Sequence, residues 1–314
     1  MNKNTLEGSL ITDHKNILYT FMLKGGKIKG YFINATELVN KVRETHSLGV
    51  METLILGQAH IGAALMAATL KNNESLKLKI ECSGPVKGLS VEALSNGEIR
   101  GYLFQNPIPL EPHMNTFDTS PVFQAGFLSV TRFSENNKSY SGQVMLEHGR
   151  IAQDLASYYL VSEQKKTAFN LSVFFDKNGI PKGAGGIFLQ ALPEEKEKTD
   201  AHGDSEGEEL QELLEKAESA VRTIPSIGKY FSGNSDSVGF IMNAFSTLGI
   251  EIIGSSHVNF KCRCSRERFF SFLSAMDKKE IKSILSEGPL PLKITCHNCS
   301  TDYFFDKEEI EGIV

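Results

Sequence analysis

Apolar and polar side chains alternate along several stretches of the first 190 residues, the period of two that is typical of half-buried β-strands. In the stretch 76–82, Leu76, Leu78, Ile80 and Cys82 share one face, so Cys82 is predicted to be a small core residue. Further strands are predicted at residues 126–133, 140–146, 167–176 and 186–192. We therefore expect β-sheet to dominate this half of the chain.

Helical spacing separates these strands. Apolar residues recur every third or fourth position at residues 36–46, 53–71 and 151–163, which predicts three helices with an apolar face. Helices and strands in this order favour an α+β N-terminal domain built on a mixed sheet.

The composition changes abruptly at residues 193–209, where eight acidic residues stand against two lysines. So much like charge with few apolar groups predicts a mobile, solvated linker. Directly after it, apolar residues from Leu210 to Ile224 fall on one helical face, with Ser205 and Glu208 spaced as a capping box. A second amphipathic helix is predicted from Val238 to Leu248, beginning at Ser235 or Asp236 and ending at Gly249. These faces pack on the neighbouring domains or bind a partner conditionally.

Three units follow from this pattern. We predict an α+β core domain at residues 1–192, an acidic flexible segment with a helical linker at 193–254, and a small zinc-binding domain at 255–314. A chain of 314 residues is long enough for two globular units and a connector.

Composition and charge narrow the function classes. The N-terminus lacks a signal-peptide pattern, and the longest apolar stretch, 61–70, is too short to span a bilayer; we expect a cytoplasmic protein without membrane contact. A formal net charge of −5 disfavours broad binding to phosphate backbones. Five cysteines in such a protein favour metal binding or redox chemistry over structural disulfides.

Four of the five cysteines form two close pairs near the C-terminus, Cys262-Arg263-Cys264 and Cys296-His297-Asn298-Cys299. Four thiolates are a favoured ligand set for Zn²⁺, and the long spacer allows the pairs to meet. His257 or His297 could replace one sulfur in a Cys₃His site. A metal with all four positions filled by protein has no place for substrate, so a structural or redox role is expected rather than hydrolysis.

A redox role depends on how readily these thiols react. Coordinated sulfur is thiolate, and Lys261, Arg263, Arg266 and Arg268 are expected to keep the free thiols partly ionised. The same basic cluster, beside Phe269 and Phe270, permits a nucleic-acid-binding zinc ribbon as the alternative. However, residues 255–314 contain nine basic and nine acidic residues, so the unit is neutral. The motifs of nucleophile elbows, dinucleotide sites and P-loops do not occur, which disfavours an enzyme.

The cysteine pattern at the C-terminus resembles the redox-switch domain of the 33 kDa heat-shock chaperone family. The segments Gly84 to Leu89, Arg100 to Leu103, Ile151 to Ala156, Ser162 to Gln164 and Ala184 to Ile187 also resemble recurring segments of that family. The acidic stretch 194–209 is longer and more charged than is typical there.

The resemblance implies a holdase that binds unfolding or oxidatively damaged client proteins without ATP. It implies that Cys262, Cys264, Cys296 and Cys299 bind one Zn²⁺ in a reduced, inactive form. On oxidation they are expected to form two disulfides, Cys262 with Cys264 and Cys296 with Cys299, with release of zinc and activation. A homodimer of the active form is also implied.

Overall fold

The computed structural model describes residues 16–71, 73–110, 116–136, 138–192 and 203–313, with the side chains of 203–211 left aside. Within these ranges the chain forms strands and helices in mixed order. The strands are β1 (Ile17–Leu23), β2 (Ile28–Asn34), β3 (Ser75–Cys82), β4 (Gly88–Leu94), β5 (Glu98–Leu103), β6 (Gly126–Phe133), β7 (Ser139–Met145), β8 (Thr167–Phe175), β9 (Pro181–Ala191), β10 (Glu251–His257), β11 (Asn259–Phe260), β12 (Leu292–Thr295) and β13 (Asp302–Phe305). The α-helices are α1 (Thr36–His46), α2 (Val50–Ala67), α3 (Ser120–Phe123), α4 (Ile151–Ser162), α5 (Gly203–Thr223), α6 (Ile227–Phe231), α7 (Ser237–Ala244), α8 (Arg266–Ser274), α9 (Lys278–Glu287) and α10 (Lys307–Glu311).

The strands form two large sheets and one small hairpin. The first sheet has the order β10-β1-β2-β9-β8, the second has the order β11-β5-β4-β3-β6-β7, and β12 pairs with β13. Among the described strands, every pairing is antiparallel except that of β11 with β5, which is parallel. The fold class is therefore α+β with a mixed sheet, as the sequence predicted.

Helix α2 forms the centre of the main core. It contacts β4 and β5 of one sheet and β8 and β9 of the other, which explains why it is apolar on all sides. Its 18 residues have the length and composition of a membrane span, but 89% of them are buried inside the structure. Burial in a core accounts for this composition.

The helices after the acidic segment cover one face of the first sheet. Their buried apolar side chains join those of the sheet in a group that we call the linker cluster: Phe21, Leu23, Ile28, Phe32, Ile187, Leu189, Leu213, Ala217, Val221, Ile227, Phe231, Phe240, Ile241, Phe245 and Leu248. Phe21 packs on Phe245 with ring centroids 5.3 Å apart, and Phe32 packs on Phe240 at 5.5 Å. The apolar faces of the two predicted helices are thus covered by the neighbouring domain.

The boundaries of these linker helices differ in part from expectation. Residues 203–209 belong to α5 rather than to a mobile linker, because the helix begins at Gly203, ahead of the predicted capping box. Residues 193–202 lie outside the described part of the chain. The second helix agrees well: Asp236 accepts a hydrogen bond from the Gly239 amide, and Gly249 ends the following 3-10 turn with positive φ. The sequence did not predict α6.

Two strands connect the linker to the C-terminal elements. The predicted boundary between residues 254 and 255 lies inside β10, which pairs with β1, and β11 pairs with β5 of the second sheet. The small C-terminal core begins after them, with α8. The division into three units itself stays a prediction.

Candidate metal centre

Each cysteine pair lies in a tight loop that local hydrogen bonds hold. Cys262 and Cys264 fall between β11 and α8, where Ser265 caps the helix by accepting from the Arg268 amide. Cys296 to Cys299 form the turn between β12 and β13, and the amide of Ser300 donates to the carbonyl oxygen of Cys296 at 2.8 Å. Ser300 has positive φ, 55°, which reverses the chain at this point. These turns direct four sulfurs toward one another.

The four sulfur atoms lie within 4.8 Å of one another, although the two pairs are more than thirty residues apart in sequence. Cys262 Sγ is 3.7 Å from Cys296 Sγ, and Cys264 Sγ is 3.3 Å from Cys299 Sγ. Bonds of about 2.3 Å to a tetrahedral Zn²⁺ separate neighbouring sulfurs by about 3.8 Å. The donor set and its spacing therefore fit a metal ion of this kind.

Neither histidine near the pairs belongs to this cluster. The ring of His297 stacks on Tyr102 of β5, with centroids 5.3 Å apart and planes 24° apart. His257 ends β10, paired with Ile17. Among the described residues, the group that could hold a metal consists of the four cysteines.

Burial and hydrogen bonds shift the pKa values of three of the thiols in different directions. Burial raises the pKa of Cys262 and of Cys296. Burial also opposes ionisation of Cys299, but hydrogen bonds with Thr301 and Cys264 outweigh it and lower the pKa of Cys299 to about 7. The Tyr303 hydroxyl donates to Cys264 Sγ at 3.1 Å, and this bond raises the pKa of the tyrosine. Cys299 thus ionises more readily than Cys262 and Cys296.

The basic residues near the first pair each bind an oxygen atom. Lys261 and Arg263 both pair with Glu98, and Arg266 pairs with Glu309 at 2.7 Å while its guanidinium lies over the Phe305 ring. Arg268 donates to the carbonyl oxygen of Arg263. Three of these four cations therefore pair with carboxylates, two of them with the same one, and the low pKa of Cys299 comes from its hydrogen bonds with Thr301 and Cys264.

The core beneath the sulfurs is small. Four apolar residues are fully buried in it, Leu273, Ile281, Phe305 and Ile310, with a ring of half-buried neighbours. Cys296 is itself 5% exposed. A core of this size contributes little stability alone.

The cysteine loops dock onto the edge of the second sheet. Glu98 of β5, whose side chain is 15% exposed, accepts from Lys261 Nζ at 2.8 Å and from Arg263 Nε at 2.6 Å. The hydrogen bond from Lys261 is the main cause that lowers the pKa of Glu98. On the other cysteine loop, the Ser300 hydroxyl lies 3.1 Å from His46 Nδ1 of α1. Both loops thus contact the N-terminal part of the chain.

Sequence reasoning missed these docking residues. Arg100 to Leu103 could not be assigned chemistry from the sequence, yet Tyr102 stacks on His297 and Arg100 lies beside Cys262. Glu98 and Thr301 were not singled out either. The family resemblance of the 100–103 segment was the one signal that pointed to this edge.

Comparison with known proteins agrees with this arrangement. A family model described as "Hsp33 protein" matches residues 16–306. A curated protein named 33 kDa chaperonin from Thermotoga maritima is 31% identical, covering 92% of this chain and 93% of that relative. One from Lachnoclostridium phytofermentans is 29% identical over 92% of this chain and 94% of that relative. The crystal structure of the 33 kDa chaperonin (heat shock protein 33 homolog) from Thermotoga maritima superimposes with a TM-score of 0.81 at 30% identity, covering 96% of this chain and 98% of that one.

Proposed function

Because this chain belongs to the Hsp33 protein family, we propose that it is an ATP-independent holdase chaperone whose activity depends on the redox state of four cysteines. In the reduced, inactive form, Cys262, Cys264, Cys296 and Cys299 hold one Zn²⁺. In the oxidised, active form they are two disulfides that no longer hold the ion, and the protein binds unfolding clients. We further propose a binding rather than catalytic role, a cytoplasmic location and a homodimer in the active state.

The observation that carries this proposal is the meeting of four thiols over a core too small to be stable alone. A bound Zn²⁺ keeps its sulfurs deprotonated and cross-links the loops that carry them. Neighbouring residues position the sulfurs: the turn at Ser300 and Thr301 holds Cys296 and Cys299 in place, and the Tyr303 hydroxyl donates a hydrogen bond to Cys264 Sγ. Loss of the cross-link is therefore expected to unfold the C-terminal unit.

The chemical step is a thiol oxidation that balances with peroxide as oxidant. Two thiolates lose two electrons and form one S–S bond, while one hydrogen peroxide takes up those electrons and two protons and leaves as two water molecules. Two such events convert Cys262 with Cys264 and Cys296 with Cys299. Disulfides within each pair close short loops and cannot replace a link between loops some thirty residues apart.

The surface that binds clients is proposed to come from the linker cluster. Helix α7 leads into β10, and β10 pairs with β1, whose Phe21 contacts Phe245 of the linker. Unfolding of the C-terminal unit removes the anchor beyond β11, so these helices can leave the sheet. The uncovered face is apolar and includes Phe21 and Phe32, which suits binding of unfolded chains.

One preparation tests the proposal directly. Bound zinc, free thiols and suppression of aggregation of a heat-unfolded client are measured before and after peroxide with mild heating, on a Cys82→Ser background so that only the four site thiols are counted. We expect loss of one zinc, loss of four thiols and appearance of holding activity together. Retained zinc with no holding activity would leave the site purely structural.

The nucleic-acid alternative has less support. Its basic cluster is occupied by Glu98 and Glu309, so few cations remain for phosphate contacts. Salt-dependent binding of single-stranded nucleic acid by the reduced protein would support this alternative.

A further inference from the structure

The second sheet ends in a strand whose outer edge is open. Strand β7 pairs with β6 on one side, and no strand among the described residues pairs with the other side. Its seven residues, Ser-Tyr-Ser-Gly-Gln-Val-Met, contain no charge and no proline. Charged residues and prolines are the features by which proteins usually prevent an edge strand from pairing with another chain, and β7 lacks both.

The register determines which backbone groups face this open edge. The Leu146 amide donates to the Gly126 carbonyl, and the Ser134 amide donates to the Lys138 carbonyl. Hydrogen-bonded pairs alternate along an antiparallel ladder, so in this register the even-numbered residues of β7 bond to β6. The amides and carbonyls of Ser139, Ser141, Gln143 and Met145 therefore point outward.

Other sheet edges in the described part of the chain are protected. The β5 edge carries β11 and the Glu98 contacts. No residue of β8 is exposed, and the carbonyl of Leu171 on its outer edge accepts a hydrogen bond from Gln58 of α2. Strand β10, the remaining edge, begins with Glu251. Only at β7 does a seven-residue edge combine open backbone groups with an uncharged sequence.

Exposed apolar side chains border the same edge. Met145 is 67% exposed and Tyr140 is 56% exposed, and Phe127, directly opposite Met145 on β6, is 47% exposed. Behind the strand, Tyr158 of α4 lies against Gly142 and covers the inner face. An added strand would gain main-chain hydrogen bonds. Its side chains on one face would pack on Met145 and Phe127, and those on the other face would pack on Tyr140.

We propose that the outer edge of β7 binds an extended segment of an unfolding protein by strand addition. This rests on the proposed holdase function and gives it a second binding surface, separate from the linker cluster. Main-chain hydrogen bonds are independent of sequence, so they suit a protein that must hold unrelated chains. A second copy of this chain fits less well, since the pairing of two seven-residue strands makes a contact far below the ~1,600 Å² of stable complexes.

Two variants on the edge test this inference. Ser141→Pro removes an outward amide and leaves the bonds to β6, while Met145→Lys places a charge on the edge. Ile253→Lys is the matched control, because Ile253 is a 50% exposed apolar residue on the edge strand of the other sheet. Both β7 variants are expected to need about fivefold more chaperone for equal suppression of aggregation, with thermal midpoint and zinc release unchanged. For Ser141→Pro this is the factor of about one lost hydrogen bond. The control is expected to behave as wild type.

A photo-crosslinker at Tyr140 identifies the occupant independently of folding effects. We expect a crosslinked product with the mass of chaperone plus client, formed only after oxidation and in the presence of client. A product with the mass of two chaperone chains overturns the inference in favour of a self-pairing edge. If both β7 variants hold clients as well as the wild type does, strand addition is overturned but the proposed holdase function stands. If the wild-type protein never holds clients, both the proposed function and this inference are contradicted.

Discussion

The carboxylate of Glu98 accepts a hydrogen bond from Nε of Arg263 at 2.6 Å, although the two residues are 165 positions apart in sequence. Arg263 is the single residue between Cys262 and Cys264, so this contact fixes the first cysteine loop on the edge of β5. Because Lys261 reaches the same carboxylate, one acidic side chain holds both flanks of Cys262. The stability of the thiol cluster is thereby coupled to the N-terminal sheet.

Replacing this carboxylate is expected to loosen the cysteine loop. Glu98→Gln should increase the rate of zinc loss to a chelator, and the rate of activation by peroxide, by about two- to fivefold, the range expected for a partly exposed ion pair. Since the pKa of Glu98 is lowered from 4.5 by its partners, the contact stabilises above that pH and is lost as the pH falls through the folded value. Glu81→Gln, which breaks the exposed pair with Lys79, is the control; equal rates in both variants would show that Glu98 has no special role.

Loss of one sulfur is expected to have a larger effect. Cys262→Ser should weaken zinc binding at least about 100-fold, since loss of even an outer-shell partner costs about 10–100-fold, and should raise client holding without oxidant. Metal content and suppression of aggregation measure both effects. Cys82→Ser is the matched control, because Cys82 lies at the end of β3, outside the thiol cluster. A Cys262→Ser protein with full zinc and no activity would contradict the proposed switch.

The helix α6 offers a way to disturb the linker without touching the thiols. A methyl group at Gly183 of β9 would overlap the carbonyl oxygen of Gly228 in α6, whereas one at Gly233 meets nothing within 4 Å. Gly183→Ala is expected to weaken docking of α6 by about 1–3 kcal/mol, as overpacking commonly does, and to raise holding activity in the reduced protein. Hydrogen exchange of α6 measures the release. Gly233→Ala should match wild type, and unaltered exchange in Gly183→Ala would show that α6 does not limit access to the sheet.

The sequence predicted elements whose signal is local. Residues 126–133 and 36–46 have the same bounds as β6 and α1, because strict alternation and helical spacing appear within a few residues. Asp236 and Gly249 marked the ends of the second linker segment for the same reason. The four cysteines could be paired by spacing and ligand chemistry alone.

The features that the sequence did not predict depend on contacts between distant parts of the chain. Glu98 is an ordinary surface residue in sequence, and only the parallel pairing of β11 with β5 places it beside Arg263. Arg266 likewise pairs with Glu309, 43 residues later, and no spacing in the sequence indicates this contact. Such pairings follow from tertiary packing, and the periodicity of apolar residues along the sequence does not predict them.

A buried histidine in the core helix leads to the last prediction. His60 of α2 is fully buried; its Nδ1 donates to the Leu56 carbonyl at 2.8 Å, and Nε2 has no partner among the described residues. Burial lowers the pKa of His60 from 6.5 to about 4, and nearby His46 adds to the effect. The unfolded chain therefore binds a proton between these values that the folded chain does not, so stability is present above pH 6.5 and is lost as the pH falls. The loss attributable to His60 is about 1.4 kcal/mol of unfolding free energy per pH unit.

His60→Leu is expected to remove this part of the pH dependence, because leucine fills the site without a titratable group. Urea unfolding of the reduced protein between pH 4.5 and 8 measures the difference. Above pH 7, the unfolding free energies of the two proteins should change equally with pH. Below pH 6.5, the variant should lose less unfolding free energy than the wild type. His148→Leu, at a half-exposed side chain, is the control and should keep the wild-type slope. Parallel curves for wild type and His60→Leu across the whole range would mean that His60 is protonated as easily in the folded protein as in the unfolded chain, and that the helix α2 core admits water.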